Sequence, residues 1–189
     1  IHVRTIATAF FAVLAAGLAH AQPTAGEDSQ HILTVDHYVS NRSVVPSVQG
    51  QTVQLYVRER VKPATIQRGA PRDDRVVLFV HGAGTPAEVA FYPSAAGYSW
   101  MAYLAAEGFD VFSMDTTGYG RSTRPAAMDD PCNLSPEQQK SFIPALLAAP
   151  CAATYPSQLT NIGSDWNDIN GVVDYIRALR KVEKVSLVA

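Results

Sequence analysis

Val76-Val77-Leu78-Phe79-Val80 is a continuous apolar run of the kind found in strands covered on both faces, so it reads as a central strand of a parallel sheet. The residues after it fit that assignment. A helix is expected from near Ser99, whose hydroxyl can cap it, with Trp100, Tyr103 and Leu104 on one face and Gly108 as its stop. Phe109–Asp115 is a second strand. Strand, helix, strand is a βαβ unit, which implies a right-handed crossover.

Upstream, Ile32–Val39 and Thr52–Val61 have β character, and the second alternates Val53, Leu55 and Val57 with mostly polar neighbours. With Val48-Gln49-Gly50-Gln51 as the turn, they read as an antiparallel pair at the edge of the sheet. Downstream, the Pro- and Ala-rich stretch 123–163 reads as an excursion on the loop side of the sheet. Within it, Ser135-Pro136-Glu137-Gln138 is a capping box that starts a short helix. Ser164 or Asp165 is expected to cap a stronger helix with Ile169, Val172, Val173, Ile176 and Leu179 at helical spacing. Asp165 and Asp168 would sit at its positive end, and Arg177, Arg180 and Lys181 at its negative end. Val185–Ala189 begins another buried strand. The fold class is therefore α/β: a mostly parallel sheet flanked by helices.

At the amino end, His2 and Arg4, the apolar run Ile6–Ala19 and Ala19-His20-Ala21 form the three parts of a secretory signal, predicting a signal peptide over 1–21. The apolar run is shorter than the ~20 residues of a spanning helix, which favours export over a stable membrane anchor. Residues 22–31 read as a flexible mature terminus and 32–189 as the folded part. An exported protein is secreted or periplasmic, where the two cysteines, Cys132 and Cys151, are expected to pair as a disulfide. Two thiols with no histidine nearby fall short of a zinc site, and no metal or cofactor is expected. A formal charge of -2 without a Lys/Arg run gives nucleic acid nothing to bind, so the expected partner is a small-molecule substrate. Oligomeric state is left open.

The chemistry lies in two loops. His81-Gly82-Ala83-Gly84 puts backbone N–H groups at the carboxyl end of a parallel strand, where open α/β sheets bind ligands and where such groups can hold an oxyanion. Asp115-Thr116-Thr117-Gly118-Tyr119-Gly120-Arg121-Ser122 follows the next strand. The first loop resembles the oxyanion-hole motif of the α/β-hydrolase fold, and the second resembles the family's Asp-x-x-Gly-x-Gly-x-Ser loop. The resemblance covers roughly residues 53–189. It implies an esterase-like serine hydrolase, with the Ala83 N–H as one oxyanion donor, the residue after the nucleophile as the second, and Gly84 as an alternative candidate for that second donor. His81, Asp115, Gly118 and Gly120 are then structural, since the family's catalytic histidine follows its serine and acid. His81, Gly82, Phe91 and Tyr92, with Tyr98, are candidates to line the substrate pocket.

The triad itself is not expected within these residues. Ser99 and Ser122 follow Gly-x but lack the closing glycine of Gly-x-Ser-x-Gly, and no histidine occurs after His81. The chain therefore reads as the front part of an enzyme, inactive alone, whose nucleophile lies further on. A serine there would mean an esterase-like hydrolase; an aspartate would mean dehalogenase or epoxide-hydrolase chemistry. Two other readings stand. Gly82-Ala83-Gly84-Thr85-Pro86-Ala87 also matches the dinucleotide fingerprint of an NAD(P)-dependent oxidoreductase, though Pro86 interrupts its helix and Asp115 lies beyond the usual ~20 residues. A non-catalytic binding module on the same fold is the other.

Overall fold

The computed structural model describes residues 31–67, 74–93 and 99–189. The expected signal peptide, nearly all of the flexible terminus after it, and Tyr98 lie outside the described residues.

Strand β1 (Leu33–Arg42) runs through a short 3-10 turn, Pro46–Val48, into β2 (Thr52–Val61), and Gly50 takes the positive φ of +75° that closes the hairpin. A helical turn, α1 (Pro63–Gln67), leads towards β3 (Val76–Val80). Helices α2 (Ala87–Phe91) and α3 (Trp100–Ala106) precede β4 (Asp110–Met114). After the excursion, which contains α4 (Pro136–Lys140), the long helix α5 (Ile162–Arg180) returns the chain to β5 (Ser186–Val188).

The sheet order is β1-β2-β4-β3-β5. β3 pairs in parallel with β4 and β5, while β2 is antiparallel to both β1 and β4, so four strands share one direction and β2 alone opposes them. From β3 the chain steps to β4 on one side, then back past β3 to β5. Consistent with right-handed crossovers in opposite directions, the two connections cover opposite faces. On one face Val172 and Ile176 of α5 pack on Val39, Leu55, Val57, Leu78, Phe112 and Met114. On the other, Ala87 of α2 and Met101 and Ala105 of α3 pack on Val77, Phe79 and Val111. This is a mixed α/β arrangement, a five-stranded sheet flanked by helices on both faces. Among the described residues no helix is long and apolar enough to cross a membrane.

The local signals mostly act as the residues dictate. Ser99 caps α3 by accepting from the Ala102 N–H at 3.1 Å, and Gly108, at φ +85°, follows its end. Ser135 and Gln138 form the capping box of α4. Three expectations change. The strand expected to be buried over 185–189 is an exposed edge, with Leu187 and Val188 48% and 39% exposed. The buried stripe of α3 is Met101 and Ala105, one helical turn apart, whereas Trp100 and Tyr103 are 67% and 69% exposed. The cap of α5 is Asn161, three residues before Ser164, so the excursion ends there. Asn161 accepts from the Ser164 N–H and the Ser164 hydroxyl accepts from the Asn161 N–H, both at 3.0 Å. The apolar spacing begins at Ile169, where the helix meets the sheet, about two turns inside its true start.

Cys132 and Cys151 are joined, with Cα atoms 5.3 Å apart. The buried amide of Gln139 ties the bridge together: its Nε2 donates to the carbonyls of Cys132, Leu134 and Cys151, and its Oε1 accepts from the Cys151 N–H. Closing a loop of 19 residues restricts the unfolded chain by about 3 kcal/mol. Cys132→Ala/Cys151→Ala is expected to lose about that much in urea denaturation, and a loss below ~1 kcal/mol would show that Gln139 holds the excursion without the bridge.

Candidate functional site

A cleft of about 530 Å³ opens at the carboxyl ends of β3, β4 and β5. This is where the strand order reverses, the position at which open α/β sheets leave a crevice. Its walls are Val80 to Ala83 after β3, Thr116 and Tyr119 after β4, Leu187 and Ala189 at β5, and the first turns of α5 with the residues before it, from Thr160 to Ile169. Of the sequence-derived candidates, His81, Gly82 and Ala83 line this cleft. Gly84, Phe91 and Tyr92 do not. The Phe91 ring packs 4.7 Å from Phe79, and Tyr92 is buried beneath the Arg58 guanidinium at 4.8 Å. Helix α2 aims both at the core because it lies flat on the sheet face behind the loop. Burial first, then the charge of Asp115, pushes the Tyr92 phenol up to about 12.

His81 is a brace. It is 8% exposed; its Nε2 accepts from the Thr116 N–H at 3.2 Å, and its Nδ1 lies 2.9 Å from the Gly82 carbonyl. A backbone N–H can only donate, so the ring proton sits on Nδ1 and faces that carbonyl. The imidazole thus joins the ends of β3 and β4 and spends both nitrogens on backbone. Gly82 to Thr85 remain exposed, and no group among the described residues accepts from the Ala83 N–H. The Gly84 N–H, by contrast, is directed at the Tyr119 hydroxyl, 3.3 Å away.

The second loop is clamped by Asp115, 1% exposed, whose two carboxylate oxygens accept from the N–H groups of Ala87 (2.9 Å) and Arg121 (3.0 Å). Gly118 and Gly120 hold φ of +94° and +47°. A Cβ on Gly120 would stand 2.0 Å from an Asp115 oxygen, so that oxygen and the turn exclude every other residue type. Ser122 is committed to structure: its hydroxyl donates to the Asp115 carbonyl and accepts from the Tyr56 N–H. Ser99 is equally occupied as a cap. The Ala87 N–H also bears on dinucleotide binding. A pyrophosphate at the start of α2 would have to displace the Asp115 carboxylate already bonded there.

Several cleft residues carry no sequence signal that singles them out. Tyr119 stands between two glycines whose role in the turn is legible, but nothing local says which way its ring points. Asp165 and Trp166 reach the cleft because α5 begins at its rim. Burial, then the neighbouring Asp168, raises the Asp165 carboxyl above its usual range, with His81 opposing. Asp168, buried on the next turn, accepts from the Thr117 N–H at 2.8 Å and from the Asn41 amide at 3.2 Å, which fixes helix, loop and edge strand together. Among the described residues no cluster of His, Cys, Asp or Glu is arranged to hold a metal.

No protein-family model matches the sequence, and no curated protein is similar to it at a significant level. A comparison with solved structures finds similarity to a Sulfolobus solfataricus protein described as "a putative lipase", at 16% identity and a TM-score of 0.43. The match covers 82% of this chain and 37% of that one, so the chain spans little more than a third of its length.

Proposed function

We propose that this chain supplies the oxyanion-binding part of an exported, esterase-like serine hydrolase, with the nucleophile, its histidine and its acid contributed by residues outside these 189. The observation that carries the reading is the Ala83 N–H, a backbone donor on the wall of a cleft at the carboxyl end of β3, with no acceptor of its own among the described residues. An ester carbonyl laid against it would be attacked at carbon. As the C=O π pair collects on oxygen, the hydrogen bond from Ala83 strengthens, so its stabilisation is realised mainly in the transition state. Trp166, Ile169 and Leu187 give the acyl group an apolar wall. The amino-terminal segment and the paired cysteines support export to an oxidising compartment.

The full-length protein is expected to hydrolyse p-nitrophenyl esters and to be labelled by a fluorophosphonate. Ala83→Pro, which deletes the N–H, is expected to lower kcat about 10²-fold while leaving circular dichroism unchanged. No turnover across a broad ester and amide panel, together with no labelling, would overturn the reading.

A further inference from the structure

We propose that the Tyr119 hydroxyl, not the Gly84 N–H, is the side-chain partner of Ala83 in binding the oxyanion; this rests on the hydrolase reading above. The Gly84 N–H is turned to the Tyr119 oxygen at 3.3 Å, and Gly84 is not part of the cleft wall, whereas Tyr119 is. A phenol that accepts from an N–H keeps its own proton to donate, and accepting sharpens that donor because linked hydrogen bonds polarise one another. Tyr119 thereby passes on to the cleft the donor capacity that Gly84 cannot deliver itself.

The placement is rigid, as electrostatic stabilisation requires. The Tyr119 ring packs on His81 with centroids 4.6 Å apart, and His81 is itself fixed by Thr116 and Gly82. The Tyr119 N–H is bonded to the Thr116 carbonyl at 3.0 Å. On either side stand Gly118 and Gly120, whose missing Cβ atoms would meet Met128 and Asp115. The loop can therefore not slide along the sheet without breaking buried contacts, and the phenol is held by its packing on His81 and its bond to Gly84. Ala83 and Tyr119 come from the two loops that flank the cleft, one donor from each.

The test is Tyr119→Phe in the full-length protein. Expected is a fall in kcat of roughly 10²-fold with KM within about twofold, and an equal loss of affinity for an alkylboronic acid that forms a tetrahedral adduct. Activity within twofold of wild type, or a loss carried by KM alone, overturns the proposal while leaving the hydrolase reading intact. A wild-type protein with no turnover and no fluorophosphonate label overturns that reading and this one with it. Should the phenylalanine variant misfold, 4-fluorophenylalanine at position 119 keeps the outline of the ring and cannot donate, and a kcat within twofold of wild type then refutes the assignment.

Discussion

Arg180→Met is expected to destabilise the protein by about 3–5 kcal/mol in urea denaturation, because it strands two buried carboxylates. Arg180, the last residue of α5, bonds both Glu59 of β2 and Asp110 of β4, which are 1% and 0% exposed. His37 Nε2 donates to Glu59 at 2.8 Å, and Tyr175 bonds the other histidine nitrogen at 2.9 Å. One guanidinium thus serves two acids. Burial, then the charge of Glu59, pushes the Asp110 carboxyl up to about 7, and its Oδ1 finds no partner among the described residues. For Glu59 burial works the other way from its partners: the His37 hydrogen bond and the Arg180 charge outweigh it and hold the carboxyl below its usual value.

The two acids give opposite pH dependences. Folding raises the Asp110 pKa, so its contribution is fully present below the unfolded value and is lost as pH climbs towards about 7. Folding lowers that of Glu59, so its contribution is present above the unfolded value and fades as pH falls. Asp110→Asn keeps an acceptor for Arg180 and removes only the first dependence. From pH 5 to pH 8 the stability difference should therefore move in favour of the variant; a constant or opposite trend would mean Asp110 is ionised throughout. The cluster sits at the far end of α5 from the cleft, about 16 Å along the helix from Ile169, the last cleft residue on it, so neither change should alter kcat at a pH where the variant is folded.

Asp115→Ala is the second large effect, expected at about 2–5 kcal/mol. It leaves the Ala87 and Arg121 N–H groups without an acceptor, one fully and one partly buried, and each such loss costs about 1–3 kcal/mol. The damage is not confined to stability. Asp115 fixes the turn that carries Tyr119, so the full-length protein is also expected to lose kcat. Asp36→Ala is the comparison: that carboxylate is ion-paired to Arg58 at 2.7 Å but partly exposed, and its loss is expected to cost no more than about 1 kcal/mol. Equal effects for the two variants would mean that the Asp115 bonds are replaced by water when the carboxylate is removed.

The first site loop is legible in the sequence because its constraint is local. A strand that ends in His81-Gly82-Ala83-Gly84 must present backbone at its tip, whatever surrounds it, and the structure brings His81, Gly82 and Ala83 to the cleft. Phe91 and Tyr92 depart from expectation for the complementary reason. Nearness to a loop in sequence says nothing about which side of a five-residue helix faces the sheet, and here the sheet takes both rings.

The sequence by itself determined the order of the strands along the chain, the helices α3, α4 and α5, the caps at Ser99 and Ser135, the glycine turns and the cysteine pair. Those depend on hydrogen bonds and spacings that close within a few residues or on composition. Only the tertiary structure decided that Asp168 grips Thr117 across 51 residues, that Arg180 reaches Glu59 across 121, and that Tyr119 meets Gly84 across 35. Each joins elements that become neighbours only when the sheet has assembled and α5 has packed on it. A buried polar group takes whichever partner the packed sheet brings within about 3 Å, and no local pattern encodes that choice.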